Sequence, residues 1–544
     1  MLCKFSNLSK VLVSTCLCSV LCSCTSFNAT SPEDYIGPVK AEPNAVSAPK
    51  PAVQTNKVIT PPAAPSAQDN TLKITVIEAT LIGLENNKSL VVQRFNPQIN
   101  RTLEQQQLAV FDPDVNVTIS KSKTKSETTP RPGLGSFSSR TQNLSTDVGI
   151  NQFFPTGTML SLVGSTDELT GSFLNEPFVT TRVGAGVTQS LLRGFGTTVN
   201  LASVEQAKID TKASQYELRG FVENLVAQIE ETYWDYVLAE RQITIVNQSL
   251  EIAQKQLDET TERIKVGDLA QSEKVAAEAE VALRQENLID ARSTLAKTRL
   301  SLLQQINPPG PNSWNREIVL QSVPEIPNEQ PGDIEKHVAM ALQMRPELNQ
   351  AKLAWQRDEL EIVKTRNGLL PQLDLFITLG RSGYANSFGQ SVDNISHKSN
   401  YDILGGVTFE YPPLNRGAQA ANLRATITRD QAREAINNLA QSVEVDVRNA
   451  GLEITRTREQ VAATSASRKL QEEKLRVEME KFKVGKSTSL LVAQAERDFF
   501  ASQIAEIQAV VNNIKAFVEF YRLEGTLLER RGIASPGRET VPLR

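Results

Sequence analysis

The stretch "KFKVGKSTSLL", Lys481–Leu491, closes a long charged run with Gly-Lys-Ser and admits two incompatible readings. As a phosphate-binding loop it would make the chain a nucleotide-using enzyme. As a helix end followed by a tight turn it would make the chain a bundle of long helices. A phosphate-binding loop needs glycine five residues before the Gly-Lys pair, and a strand in front of it. Position 480 is Glu480, and a helical pattern precedes it. A second copy of the motif settles the choice. "RIKVGDLAQSE", Arg263–Glu273, keeps Lys-Val-Gly and lacks Lys-Ser. Gly267 and Gly485 are therefore expected at helix C′ positions, where only glycine takes the left-handed conformation cheaply.

The flanking sequence agrees. No proline occurs between Pro177 and Pro308, or between Pro413 and Pro536. In the first run apolar residues fall at Val222, Val226, Ile229, Tyr233, Tyr236, Ile243, Val246, Leu250, Ala253, Leu257 and Ile264. Steps of three and four are coiled-coil spacing. A helix from Leu201 to Val266 would be roughly 100 Å long at 1.5 Å per residue. A second helix is expected from Gly267 to about Ile306, stopped by "NPPGP" at Asn307. The later half repeats the plan: about Ala418–Val484, a turn at Gly485, then about Ser487–Arg530. Its seam is Leu439, Val443, Val447, Ala450 and Ile454.

The repeat extends to strands. "FDPDVNVTIS" and "LLPQLDLFIT" place Pro113 against Pro371, with Val115, Val117 and Ile119 against Leu373, Leu375 and Ile377. "VTQSLLRGFG", ending at Gly196, matches "VTFEYPPLNRG", ending at Gly417. Each segment alternates apolar and polar residues, so each strand has one face of each kind. Lys121–Ser145 and Ser382–Asn400 are polar and read as exposed loops. "DVGINQFFPTGTMLSLVG", Asp147–Gly164, reads as an additional hairpin around Pro-Thr-Gly that either joins the sheet or caps it. One chain thus supplies four strands, or six, whereas small barrels need about eight to close. An open edge in lipid leaves backbone groups unpaired. Several copies must share one barrel, with a wet lumen and helices projecting from it.

All five cysteines, Cys3, Cys16, Cys18, Cys22 and Cys24, lie at the N-terminus, which excludes thiol chemistry and disulfides from the body. Lys4 and Lys10 precede an apolar core, Val11–Leu21, of the kind found in secretory signals. It ends in "LCSC", Leu21–Cys24, which resembles the bacterial lipoprotein cleavage box. Residues 1–23 then form the signal peptide and Cys24 carries acyl chains such as palmitate; the alternative is an ordinary signal peptide cut nearby. Residues 24–70, rich in Pro and Ala, form an extended tether. The net charge of −4 offers no basic footprint for nucleic acid.

This doubled order resembles the TolC-like outer-membrane efflux proteins: helix, strand pair, helix, "KVG" turn, helix, with "LLPQLDL" and "SLLRGFG" at matching places. The resemblance spans about residues 72–530. It implies a mostly α fold with membrane β: a homotrimer with a helical α-barrel, and a shared twelve-stranded β-barrel taking four strands from each chain. It implies residues 71–306 as a first repeat (strands about 113–196), 307–332 as a linker, 333–530 as a second repeat (strands about 371–417), and 531–544 as a disordered tail. It further implies a lipid-anchored outer-membrane channel docked through a periplasmic adaptor to an inner-membrane pump. The channel would conduct small molecules or proteins passively to the exterior. The docking tips would be Val266, Gly267, Val484 and Gly485. The third tip residues, Asp268 and Lys486, depart from the family's Leu or Thr. Positions matching a gating aspartate ring are Leu491 and Gln494, which gives such a gate no support.

No catalytic, cofactor or metal motif occurs. His337 is expected to be structural or at the surface, and His397 solvated in an outer loop. Glu230 and Glu231, like Glu472 and Glu473, are expected on solvated or lumen faces. Arg193 and Arg416 should mark the water boundary of the strands. Phe195, Phe409 and Tyr411 suit an interfacial belt or a core equally well. Two rival readings are a periplasmic coiled-coil adaptor, which predicts one hairpin and a β-rich remainder, and a structural envelope lipoprotein, which predicts no amphipathic strands.

Overall fold

The computed structural model describes residues 71–128, 137–172, 174–310, 313–327 and 332–542. The expected signal peptide, Cys24 and the expected tether lie outside them. In chain order the elements are β1 (Thr71–Ile74), α1 (Val76–Asn86), α2 (Lys88–Leu108), β2 (Asp114–Thr128), β3 (Phe137–Phe153), β4 (Thr158–Gly171), β5 (Phe178–Ser190), α3 (Ala202–Lys265), α4 (Gln271–Ile306) and β6 (Glu317–Leu320). The second half contains α5 (Ile334–Met344), α6 (Pro346–Asn367), β7 (Gln372–Ala385), α7 (Phe388–His397), β8 (Tyr401–Glu410), α8 (Arg416–Lys483) and α9 (Ser489–Glu524). The starts of α1 and α5, of α2 and α6, and of β2 and β7 are each 258 residues apart, so the two halves are one plan used twice.

The long helices form as their spacing requires. α3 has 64 residues and α8 has 68. Val222, Val226, Ile229 and Tyr233 of α3 are fully buried. They pack with Leu302 and Ile306 of α4, Val511 and Val518 of α9, and Ala79 and Leu84 of α1. Val443, Val447, Ala450 and Ile454 of α8 form a second core with Val338 and Ala341 of α5 and Phe517 and Phe520 of α9. Burying one aliphatic side chain contributes about 1.5–3 kcal/mol, so these seams dominate the cohesion of the helical half.

Part of the expected linker is structured. β6 pairs in parallel with β1, and the two are tied to α3 when the Tyr233 hydroxyl donates to the Ile74 carbonyl at 3.1 Å. The C-terminal segment, expected as a disordered tail, is instead packed through residue 542. Arg531 makes a bidentate pair with Glu230 at 2.6 and 2.7 Å, and Arg219 donates to the Gly537 carbonyl. Val541 is buried. Glu230 is therefore 1% exposed rather than solvated. The reason is a partner 301 residues away that helical periodicity does not reveal.

β2, β3, β4, β5, β7 and β8 form a single antiparallel sheet in that order. The additional hairpin therefore joins the sheet, and the described residues supply six strands to it where the family resemblance implied four. The polar stretch Lys121–Ser145, expected as a loop, instead continues the β2–β3 ladder out to Thr128 opposite Phe137. Alternation vanishes along β2 there because both of its side-chain faces are polar, while its backbone pairing continues to Thr128. Ser382–Asn400 likewise contains the end of β7 and the helix α7. Gly383 admits that helix: a Cβ there would lie 1.9 Å from the Ser391 carbonyl oxygen.

The register sorts the side chains. One face carries Val115, Val117 and Ile119 on β2, Val148 and Ile150 on β3, and Leu160 and Leu162 on β4. It continues with Val183, Ala185 and Val187 on β5, Leu375, Ile377 and Leu379 on β7, and Ile403, Val407 and Phe409 on β8. The other face carries Asp114, Asn116, Thr118, Asp147, Ser165, Arg182, Thr378 and Asp402 among its residues. A row of paired residues runs Val117, Val148, Gly164, Val183, Arg381 and Tyr401. It starts mid-band on β2 and has passed the band's outer edge by β7. The band thus slips by about one residue per strand, the stagger that a tilted barrel wall needs.

Arg531→Ala is expected to leave Glu230 buried without its partner and to cost about 3 kcal/mol. Thermal unfolding in detergent should register the loss, and Glu230→Met in the same chain should restore most of it.

Candidate functional site

Two regions present surfaces that the fold itself does not consume: the sheet face and the helix tips. On the sheet, Val115, Val117, Ile119, Ile403 and Val407 are all more than half exposed, as hydrophobic side chains in water should not be. The polar face holds an ion pair between Arg182 and Asp402 that crosses over β7. Gly380 leaves the room for it, since a Cβ there would lie 2.7 Å from the Arg182 guanidinium and from the Asp402 carboxylate. Aromatic side chains gather where the strands meet the helices. Phe111 stacks on Phe153 at 5.9 Å, and Phe154, Phe195, Phe409 and Tyr411 are exposed. These last three expected residues thus lie outside the core, at the sheet's inner boundary. Arg193 sits at the same boundary and donates to the Gln372 side chain at 2.5 Å, while Arg416 begins α8 and is exposed.

The tips are built as the glycines require. Gly267 has φ 83° and Gly485 has φ 71°. At each, two reversed hydrogen bonds close the helix: Gly267 to Ile264 and Asp268 to Arg263, then Gly485 to Phe482 and Lys486 to Lys481. This satisfies carbonyls that the helix leaves unpaired. Val266 and Val484 next to the turns are 79% and 68% exposed. Asp268 is taken by Arg263 at 2.6 Å, and the same guanidinium lies 5.2 Å from the Phe482 ring centroid, which ties one tip to the other. Ser489 also donates to Glu273 across the hairpins. Leu491 and Gln494 are exposed two turns or less above the second tip.

Just behind the tips lies a feature that the sequence did not single out. Glu496 of α9 is 4% exposed and accepts from the Gln256 amide of α3 at 2.9 Å. Burial pushes its carboxyl up to about 7, with Arg284 opposing and Glu280 adding to the rise. Arg284 is occupied by Glu280 at 2.5 Å. The signal, a lone Glu on an apolar seam between Val492 and Phe500, was present in the heptad pattern. Glu472 and Glu473 are exposed as expected. Glu231 is partly buried, and burial raises its carboxyl above the usual range. His337 is structural: its Nδ1 lies 2.7 Å from the fully buried Glu524 carboxylate, and its ring packs edge-on to Phe520. His397 is exposed beside Asp393.

Among the described residues no helix is long and apolar enough to cross a membrane, and no cluster suited to a metal ion occurs. The exposed apolar sheet face and the long helices are therefore the features that a function must explain.

Residues 83–307 and 338–526 match the model of a family described as outer membrane efflux protein. Outer membrane efflux protein BepC of Brucella suis biovar 1 (strain 1330) is 24% identical over 328 residues, 60% of this chain and 68% of that protein. The fold is similar to that of the outer-membrane channel OprN, with TM-score 0.62 and 16% identity over 83% of this chain and 89% of that one. It is equally similar to the Campylobacter jejuni CmeC outer membrane channel, with TM-score 0.62 and 15% identity over 84% and 86% of the two chains.

Glu496 binds a proton more tightly folded than unfolded. Its contribution to stability is thus full below about pH 4.5 and is lost as pH rises toward 7. Hydrogen exchange of the tip segments should accelerate from pH 5 to pH 7.5 beyond the intrinsic chemical rate. Glu496→Gln should remove this excess.

Proposed function

The chain belongs to the outer membrane efflux protein family, and from that premise we propose that it is the outer-membrane channel subunit of a tripartite efflux or type I secretion system. It conducts cargo passively and performs no catalysis. The observation that carries this reading is an open six-stranded sheet with one exposed apolar face and one polar face. In water the apolar face is unfavourable, and in lipid the free edges of β2 and β8 are unfavourable. Both costs vanish when copies close a barrel in a bilayer. β2 and β8 are antiparallel within the sheet, so β8 of one copy can pair with β2 of the next in the same alternating sense.

A homotrimer, the family's state by resemblance, brings eighteen strands from three sheets of six. Barrels of 16–18 strands enclose an aqueous channel. The polar face lines it, the aromatic residues at the inner boundary sit at the membrane–water interface, and the helices, roughly 100 Å long, cross the periplasm. Acyl chains on Cys24 would add a second membrane attachment at the end of the tether. The exposed turns at Val266, Gly267, Val484 and Gly485 are the contact points for a periplasmic adaptor and, through it, an inner-membrane pump. Two hairpins with strands between them favour this reading over a single-hairpin adaptor. The amphipathic strands favour it over a purely structural lipoprotein.

Purified full-length protein should run as a heat-modifiable trimer and open steady single channels in planar bilayers. A stable monomer without current would end the proposal. Gly485→Val forces a branched residue into the left-handed region, at about 1–2 kcal/mol. It should reduce efflux in cells while leaving conductance in bilayers unchanged.

A further inference from the structure

On the apolar face of β2, Val115, Val117 and Ile119 are followed at the same two-residue spacing by Lys121, Lys123 and Lys125. Across the ladder, Lys123 faces Gln142 and Lys125 directly faces Arg140. All four cations are exposed. A like-charge pair directly opposite in a sheet is destabilising. Glu127 and Glu168 share this face, but among the described residues neither forms an ion pair with the four. On β7, Arg381 stands next after Leu379 on the same face, again at the outer edge of the band. Cations thus begin where the apolar band ends, at both sides of the sheet and on the side that faces lipid in the proposed channel.

We propose that this rim binds the phosphate groups of a phosphorylated glycolipid in the outer leaflet, with Lys121, Lys123, Lys125 and Arg140 as the binding residues. The inference rests on the channel reading above, which sets the orientation of the sheet. Charge complementarity identifies the ligand as anionic, and guanidinium and ammonium groups form strong charge-assisted hydrogen bonds to phosphate oxygens. The spread of the charges identifies the head. Successive same-face residues on a strand are about 6.6 Å apart, so Lys121 to Lys125 spans roughly 13 Å along β2. A phospholipid carries its phosphate in one thin layer. A saccharide head with several phosphates presents anions over such a depth. An anion between Lys125 and Arg140 turns their repulsion into two attractions.

The test uses the full-length channel purified in detergent. It is incubated separately with diphosphoryl lipid A, with lipid A stripped of phosphate, and with phosphatidylglycerol, and retained lipid is counted by native mass spectrometry. The wild type should retain diphosphoryl lipid A at least roughly tenfold better than the combined variant Lys121→Gln, Lys123→Gln, Lys125→Gln, Arg140→Gln. It should retain the dephosphorylated form and phosphatidylglycerol no better than the variant does. The corresponding Lys→Arg triple variant should retain lipid A as the wild type does, and Lys123→Gln alone should show a partial loss if the combined variant fails to assemble. Equal retention of diphosphoryl lipid A by wild type and variant overturns the proposal, as does equal retention of phosphatidylglycerol by the wild type. Conductance separates the two readings. A variant that conducts normally yet keeps lipid A sinks only the rim site, whereas a wild type without current sinks the channel.

Discussion

The whole architecture answers to one constraint: a sheet with an apolar face and two unpaired edges has no comfortable solvent as a single chain. Water disfavours the face, and lipid disfavours the edges. A sheet with an even number of alternating strands escapes by ring closure with its own copies, and the described antiparallel sheet has six. The band of apolar residues follows the same demand. It does not run level with the hydrogen-bonded rows but slips along them, so that it becomes level only when the strands tilt. A soluble half-buried sheet would have no reason to keep that slope.

The helical half solves a different problem by different means. It must hold its shape over roughly 100 Å in water, far from any single compact core. Seams of Val, Ile and Leu zip α3 to α4 and α8 to α9. The short elements α1, α5, β1 and β6, together with the C-terminal segment, thicken the middle of the bundle. There three buried charged groups are paired: Glu230 with Arg531, Arg219 with Glu223, and Glu524 with His337. Toward the tips the packing thins. A deeply buried carboxylate there, Glu496, has an amide donor and no cation of its own among the described residues, since Arg284 is taken by Glu280. The tips are thus held more by turn chemistry and cross-hairpin contacts than by a large core.

Much of this was legible from residue order. The glycines after Lys-Val marked helix ends because only glycine satisfies that backbone cheaply. The absence of proline and the steps of three and four marked the helices, and alternation marked the strands inside the bilayer band. The doubling showed itself because Pro113 and Pro371 sit at equivalent helix–strand junctions. Legibility failed where a local pattern ceased to depend on a local environment. Beyond Ile119 both faces of β2 are polar, so Lys121–Ser145 looked like a loop, whereas Lys121–Thr128 and Phe137–Ser145 are paired in the ladder. Glu230 looked like half of a solvated pair because Arg531 lies outside any window that periodicity can read.

By itself, then, the sequence determined every property set by neighbours along the chain: helix lengths, turn positions, the two-fold plan and the amphipathic character of the strands. Only the tertiary structure decided how many strands share the sheet, which residues stand on which face, and where the C-terminal segment docks. The physical reason is range. Helical turns and capping glycines are stabilised within five residues, whereas the β5–β7 pairing and the Glu230–Arg531 ion pair join residues from opposite halves of the chain. Their energies belong to the closed arrangement and not to any segment of it.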